Sequence, residues 1–388
     1  MSETDCPDIM KFTYIVDIGT TTIKAALCSE DGCPVAETRD KNSQSVFGTD
    51  VVSRILSAHY KGVQPLQKVI LQQLISLLES LCHENNCRPE SVSQVIITGN
   101  TVMLHLARGL SVQGFEMAPF TPVTLDEAEI PAGQLFAGID PPCQLSPDTS
   151  VYFPPCIDAF IGADAVCAAL YTATDENECT CYSRSSARFP LLIADVGTNT
   201  EIILMKDADG PVICCSTAAG PAFENGVPGS HCTGSSLVHL LSELLKSGAM
   251  DETGLLDETT ASKVCVSGIP VITQDTVRQL QLAKGAVAAA IETLLAEEKL
   301  SVNDVASFVL CGNFGSALDV KEAECIGLFP AGLADVTEYA GNAAEKGARF
   351  LVDGEMRKKA KKIAAASKLI QLADSRFFAR RYIERMNF

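Results

Sequence analysis

Two six-residue stretches decide how this chain folds: Asp17-Ile18-Gly19-Thr20-Thr21-Thr22 and Asp195-Val196-Gly197-Thr198-Asn199-Thr200. They align without a gap and stand 178 residues apart, from position 17 to position 195. That separation is about one domain. An apolar run ending in the acid precedes each stretch, at 12–17 and at 191–195. A second apolar run follows, at 23–28 and at 201–205. Asp31-Gly32 and Ala208-Asp209-Gly210 are turn signals that introduce a third strand, beginning at Val35 and at Val212. The pattern predicts a duplicated β-β-β meander with helices behind it, not a strand-to-helix crossover.

The rest of the chain fits two domains of ordinary size, and the expected division is 1–188 and 189–388. Leucines and isoleucines at three- and four-residue spacing predict helices at about 50–60 and 64–84. Residues 92–98 read as a strand ending at Gly99-Asn100, where a short helix begins. Residues 111–155 are rich in proline and lack a helical period, so they read as a connection between layers. An Ala-rich helix is expected over 158–172 and a polar surface loop over 173–188. In the second half, helices are expected near 234–247, 274–298 and 341–352, a strand at 308–311, and a basic helical tail over 354–375.

Composition excludes several function classes. The chain has 388 residues, 47% hydrophobic and 20% charged, which is globular. No run of about 18 apolar residues appears, so no membrane span is predicted. The first eleven residues carry three acids and no apolar core, unlike a signal peptide, and a cytoplasmic location is expected. A net charge of −18 repels a phosphate backbone and argues against nucleic acid as a partner. Ten of the 30 lysines and arginines lie between Arg357 and Arg385. Such a run reads as the solvated face of a terminal helix or as a docking surface for an acidic partner. The 16 cysteines contain no C-x-x-C and no iron–sulfur ladder. They read as free, mostly buried thiols in a reducing or anaerobic cytoplasm, with a cluster shared between subunits left open.

Each Asp-x-Gly-Thr-x-Thr turn has the parts a polyphosphate site needs. Glycine lets backbone approach a phosphate, and exposed N–H groups and threonine hydroxyls donate to its oxygens. The strand-end acid can hold Mg2+ or orient an attacking group. One such turn is an ordinary hairpin feature, whereas two with the same flanking strands are far more specific. Two facing hairpins are expected to grip the phosphates in a cleft between lobes. Gly220-Pro221-Ala222-Phe223-Glu224 would let backbone approach the ribose or phosphates, with Glu224 as a polar contact. Gly-Pro is equally a plain turn signal. Cys311-Gly312-Asn313-Phe314-Gly315 ends a strand and could admit the adenosine, or could be a tight strand-to-helix turn. His105 and His231 lack a partner in sequence and take no assigned role.

The two turns resemble the phosphate-1 and phosphate-2 motifs of the acetate and sugar kinase, Hsp70 and actin superfamily. Residues 311–315 resemble its adenosine motif, with Cys where Gly is usual. Residues 157–164 look like its first connecting helix and Gly341-Asn342-Ala343-Ala344 like its second. A narrower match is to the reductive activators of corrinoid proteins. It is carried by Phe47-Gly48-Thr49-Asp50-Val51-Val52-Ser53-Arg54-Ile55 and Ile97-Thr98-Gly99-Asn100-Thr101-Val102-Met103. Ala118-Pro119-Phe120, residues 220–224, Thr273-Gln274-Asp275, Gln281-Leu282-Ala283-Lys284 and residues 377–388 carry it further.

The resemblance implies an α/β fold of two duplicated actin-like, ribonuclease H-like lobes. It also implies an ATPase that drives reduction of a Co(II) corrinoid to Co(I) in a methyltransferase system. Asp17 and Asp195 are the expected catalytic residues and Mg2+ ligands. Gly19, Thr20, Thr21, Thr22, Gly197, Thr198, Asn199, Gly220, Pro221, Glu224, Gly312, Asn313 and Phe314 are the expected ATP contacts. Such activators usually carry an iron–sulfur module. The first strand here starts near Phe12, so none is expected in this chain, and a separate iron–sulfur or flavin protein is expected to supply electrons. The partner implied is a corrinoid protein, and related activators suggest a homodimer. Two other readings remain: a small-molecule kinase with Asp164 as its carboxylate, and an ATP-binding regulator without turnover.

Overall fold

The computed structural model describes residues 11–174, 187–197, 199–208, 210–217, 234–257, 272–312, 315 and 317–388, and the backbone of 265–266 and 269–270. The chain divides into two compact units. The first comprises Met1–Ser185 and Ala344–Ala365, the second Ser186–Ala343 and Ala366–Phe388. The segment Ala344–Ala365 thus belongs with the first unit although it lies late in the sequence.

In the first unit, β1 (Phe12–Ile18), β2 (Thr22–Ser29) and β3 (Pro34–Lys41) form the expected antiparallel meander. β4 (Val92–Gly99) runs parallel to β1. Residues 111–155 do more than connect layers. They supply β5 (Ala128–Pro131) and β6 (Ser150–Phe153), which complete a six-stranded sheet of order β3-β2-β1-β4-β6-β5. Both are four residues long and β5 ends in proline, which hid them from a period-based reading.

α1 (Val51–Lys61) starts at a capping box made by Asp50 and Ser53 and stops at Gly62, whose φ is +81°. α2 (Gln64–Glu84) begins with a proline in its first turn and buries Leu66, Ile70, Leu74, Leu77 and Leu81, a helical stripe. α3 (Thr101–Ala107) is capped by the Asn100 side chain, which accepts from the Val102 N–H at 3.0 Å. α4 (Ala132–Leu135) is a single turn. α5 (Ala163–Ala173) begins five residues later than expected, because Asp158 pairs with Ile161 in a β-bridge and Gly162 is the N-cap. A Cβ on Gly347 would lie 1.9 Å from the Cys167 carbonyl oxygen, so only glycine lets the late helix Ala343–Phe350 rest on α5.

The second unit repeats the meander with β7 (Leu191–Val196), β8 (Thr200–Met205) and β9 (Val212–Thr217). A two-stranded ribbon, β10 (Cys265–Val266) and β11 (Ile269–Pro270), stands apart. β12 (Ser307–Cys311), β13 (Thr337–Gly341) and β14 (Lys368–Leu369) join the meander in the order β13-β12-β7-β8-β9-β14. The basic tail is therefore broken, not one helix. Helix Gly354–Ala366 ends, β14 adds in parallel to β9, and a separate helix spans Arg376–Glu384. That last helix lies on the long helix Gln274–Glu297, where Arg381 and Arg385 both bind Glu292. Each unit has its own apolar core.

Ten of the described cysteines are free thiols, with Cys28, Cys82, Cys156, Cys167, Cys214, Cys215 and Cys311 buried as expected. Cys33 departs from that reading and is disulfide-bonded. Among the described residues, no helix is long and apolar enough to cross a membrane.

Candidate phosphate-binding turns

Asp17 sits on the central strand of the first sheet, in register with Lys24 on β2 and Thr98 on β4. The turn after it is tight, and the Gly19 N–H donates to the Thr22 carbonyl at 3.1 Å. A Cβ on Gly19 would stand 2.6 Å from that same oxygen, which explains the glycine. Three carbonyls of the turn are held by groups outside it. Asn42 Nδ2 donates to Gly19 O at 2.8 Å and the Asn42 N–H to Thr21 O at 2.9 Å. Arg54 Nη2 donates to Thr20 O at 2.6 Å. A trans peptide places its N–H opposite its C=O. Holding the carbonyls of Gly19 and Thr20 on one side therefore aims the N–H groups of Thr20 and Thr21 to the other. Successive N–H groups turned to one face are an anion-binding nest.

The supports are buried. Asn42 and Arg54 are both 0% exposed. Arg54 also donates through Nε to Gly48 O at 3.0 Å, and its Nη1 lies 3.1 Å from Met103 Sδ. Burial pushes its guanidinium down to about 10. Neither residue was assigned a role from sequence. A signal was present for Arg54: it shares the apolar face of α1 with Val51, Ile55 and Ala58, where a charge is out of place.

Behind the first turn the backbone is close-packed. A Cβ on Gly162 would lie 2.4 Å from Gly99 O and 2.6 Å from the Thr101 nitrogen. Thr101 Oγ1 donates to Asp158 O at 2.6 Å. Asp164 opens α5, its Oδ1 accepting from the Ala165 N–H at 2.8 Å. Burial pushes the Cys167 thiol far up, and the charges of Asp164 and Asp17 add to the rise. Burial likewise raises the Glu345 carboxyl although Arg349 pairs with it, and the Glu37 and Asp17 charges add to this. Asp17, Asp164 and Glu345 thus share one electrostatic neighbourhood in the first unit. His105 is structural, with its Nδ1 2.8 Å from Thr101 O and its ring edge-on to Phe115.

In the second unit Asp195 lies in register with Glu201 on β8 and Cys311 on β12. The turn closes with the Gly197 N–H donating to Asn199 O at 2.9 Å. Gly312, at φ +82°, presses against the acid: a Cβ there would lie 2.6 Å from Asp195 Oδ1. The parallel pairing of β12 with β7 thus brings Asp195 beside the strand expected to lead to the adenosine contacts. Thr200 is 0% exposed, and its hydroxyl has no hydrogen-bond partner among the described residues. Thr198, Gly220, Pro221, Glu224, Asn313 and Phe314, and with them His231, lie outside the described residues.

Residues 12–177 match the RACo middle region. Residues 190–231 and 229–388 match the C-terminal domain of RACo, the ASKHA domain. The chain belongs to the RACo family. Its two α/β units are accordingly those of an actin-like, ASKHA-class fold, as the duplicated meanders required. The chain is 27% identical over 394 aligned positions to the corrinoid activation enzyme RamQ of Eubacterium limosum, covering 86% of this chain and 63% of that protein. It therefore spans less than two thirds of the length of that curated relative. It is also similar to a solved reductive activator for corrinoid, iron–sulfur protein, with 25% identity and a TM-score of 0.81. That match covers 99% of this chain and 67% of the other.

Proposed function

We propose that this protein is an ATP-dependent activator of a corrinoid protein, coupling nucleotide turnover to reduction of Co(II) to Co(I) in a methyltransferase system. The observation that carries the nucleotide part is the first turn, whose carbonyls are tied back by Asn42 and Arg54 so that its N–H groups face the other way. The names of RamQ and of the solved reductive activator support the corrinoid part.

Among the described residues, the tied-back first turn and the carboxylates of Asp17 and Asp195 are of the kind that suits a nucleotide and its metal. In this reading Gly19, Thr20, Thr21 and Thr22 bind phosphate oxygens from the first unit. Gly197, Thr198 and Asn199 do so from the second. Gly220, Pro221 and Glu224 contact the ribose or phosphates, and Gly312, Asn313 and Phe314 the adenosine. Mg2+ keeps most of its waters and needs one or two carboxylates beside the phosphate oxygens. Asp17 and Asp195, each at a strand end, supply such oxygens. Asp195 faces another acid, Glu201, across β8. Like charges directly opposite are costly unless a cation lies between or beside them. When bound, the metal would neutralise charge on the phosphates.

ATP turnover then changes the conformation that the corrinoid protein meets. For one electron, 30 mV corresponds to about 0.7 kcal/mol, so a few kcal/mol of differential binding moves the cobalt potential by a useful amount. Electrons come from a separate iron–sulfur or flavin protein, and the active form is a cytoplasmic homodimer.

The test is anaerobic ATP hydrolysis with and without a Co(II) corrinoid protein from the same genome. Stimulation by that protein, lost in Asp195→Ala, is the expected result. No hydrolysis in either tube overturns it and leaves a non-hydrolysing regulator. A kinase reading draws on Asp164, which shares the neighbourhood of Asp17. It predicts phosphoryl transfer to a sugar or acyl acid that stops in Asp164→Asn.

A further inference from the structure

Arg54 is an unusual charge for the apolar face of a helix. Its side chain is fully buried. Its donors reach Thr20 O at 2.6 Å, Gly48 O at 3.0 Å, Gln44 Oε1 at 3.5 Å and Met103 Sδ at 3.1 Å. All four acceptors are neutral. Asp50 is close enough to favour the charged form, yet its carboxylate caps α1 and forms no ion pair with Arg54. A buried cation without a paired anion is expensive, and a neutral glutamine or methionine would fill much of the same space at less cost. The hydrogen bonds alone do not explain a charge here.

The direction of the guanidinium does. Arg54 grips the back of the peptide whose N–H faces the anion side of the turn. One peptide plane is all that separates the cation from that side. We propose that Arg54 is a positioning residue whose charge, unmatched among the described residues, is the counter-charge for the polyphosphate held on the opposite face of the first turn. The inference rests on the ATP reading above. It adds that this face is tuned for high anionic charge, so the triphosphate gains more than nucleotides with fewer phosphates.

The separation sets the size of the effect. A guanidinium hydrogen bond, a peptide plane and a phosphate hydrogen bond in series span roughly 8 Å. At an effective dielectric of about 20, the attraction across that distance is worth about a 30-fold change in affinity for the nearest phosphate charge. The distance is close to a Debye length, but the intervening peptide is buried, so salt weakens the effect without abolishing it.

The experiment is a calorimetric titration of ATP and ADP into the wild-type chain, Arg54→Gln, Arg54→Lys and Asn42→Ala, each checked for a native thermal transition. Arg54→Gln is expected to lose about 30-fold in ATP affinity and to narrow the preference for ATP over ADP. Arg54→Lys keeps the charge and is expected to recover to within about fivefold of wild type, although it cannot reproduce the planar fork. Asn42→Ala removes a neutral support of the same turn and is expected to weaken ATP and ADP alike. Wild-type ATP affinity in folded Arg54→Gln overturns the proposal. So does a loss in folded Arg54→Lys as large as in Arg54→Gln, which would make geometry the whole role. If Arg54→Gln does not fold, the lysine variant decides alone, and an unchanged ATP-to-ADP ratio there supports the proposal. A wild-type chain that binds neither nucleotide sinks the ATP reading itself, a result distinct from any failure of the variants.

Discussion

The two turns share six residues of motif and almost nothing of their support. Asp17 has a lysine, Lys24, as its cross-strand neighbour, whereas Asp195 has an acid, Glu201. The first turn is held from behind by Asn42 and by Arg54 from a separate helix. The second is flanked by Gly312 at the end of the adjacent strand, with its carboxylate in near contact. The two stretches share their motif while their surroundings differ. Arg54 and Lys24 stand beside the first turn, in a neighbourhood that also holds the charges of Asp17 and Glu345. An acid, Glu201, lies opposite Asp195 at the second.

The sharpest way to break this contrast is at Gly312. A methyl group there meets Asp195 Oδ1 at 2.6 Å and forces a side chain into φ +82°. Gly312→Ala is expected to cut ATP turnover by about 100-fold, the scale on which misplacing a reacting group acts. Steady-state hydrolysis checks it. Gly354→Ala is the control, because nothing lies within 4 Å of its Cβ.

The charge difference predicts a smaller split. Glu201→Gln is expected to weaken Mg2+ binding about tenfold, the lower end for outer-shell changes. Lys24→Met is expected to leave it within twofold, by the same metal titration monitored in the presence of ATP. Equal losses in the two variants would erase the distinction.

A buried charge on the helix Gln274–Glu297 gives the baseline. Lys284 is fully buried, donates to Asn387 O and lies 4.7 Å from the Phe388 ring. Burial pushes its ammonium down to about 7, with Arg385 adding to the fall. Its folded value is depressed, so the unfolded chain binds the extra proton between about pH 7 and pH 10. Stability should therefore rise with pH across that window, by up to about 1.4 kcal/mol per unit for one proton. Denaturant titrations should show this slope vanish in Lys284→Met, while ATP affinity holds. The smallest effect belongs to Thr200, whose buried hydroxyl lacks a partner. Thr200→Val is expected to change stability by less than about 1 kcal/mol, with any change favourable, in thermal melts without nucleotide.

The meanders were legible because strand alternation, a strand-end acid and a glycine turn repeat together, and these are local signals. β5 and β6 were not, since four residues beside proline show no period. The break in the basic tail was hidden for a related reason. Lys368–Leu369 is a strand only because β9 offers an edge to it. Arg54 was visible as a motif residue and as a charge on an apolar helix face, but its role is a contact with Thr20, 34 residues away. Tertiary contacts of that kind leave no spacing to read. Thr198 and residues 218–233 lie outside the described residues, so the expectations at Thr198 and Glu224 stand as proposals.

The assignment of Ala344–Ala365 to the first unit sets a timetable for synthesis. At about 5–20 residues per second, the ribosome needs roughly 10–40 s to go from Ser185 to Ala365. For that interval the nascent first unit lacks the helix that Gly347 seats on Cys167, and lacks Arg349 beside Glu37. The surface of α5 waits uncovered while the second unit is made. The first unit therefore closes only after most of the second has been made, and a chain stalled before Ala344 would present that bare face to chaperones.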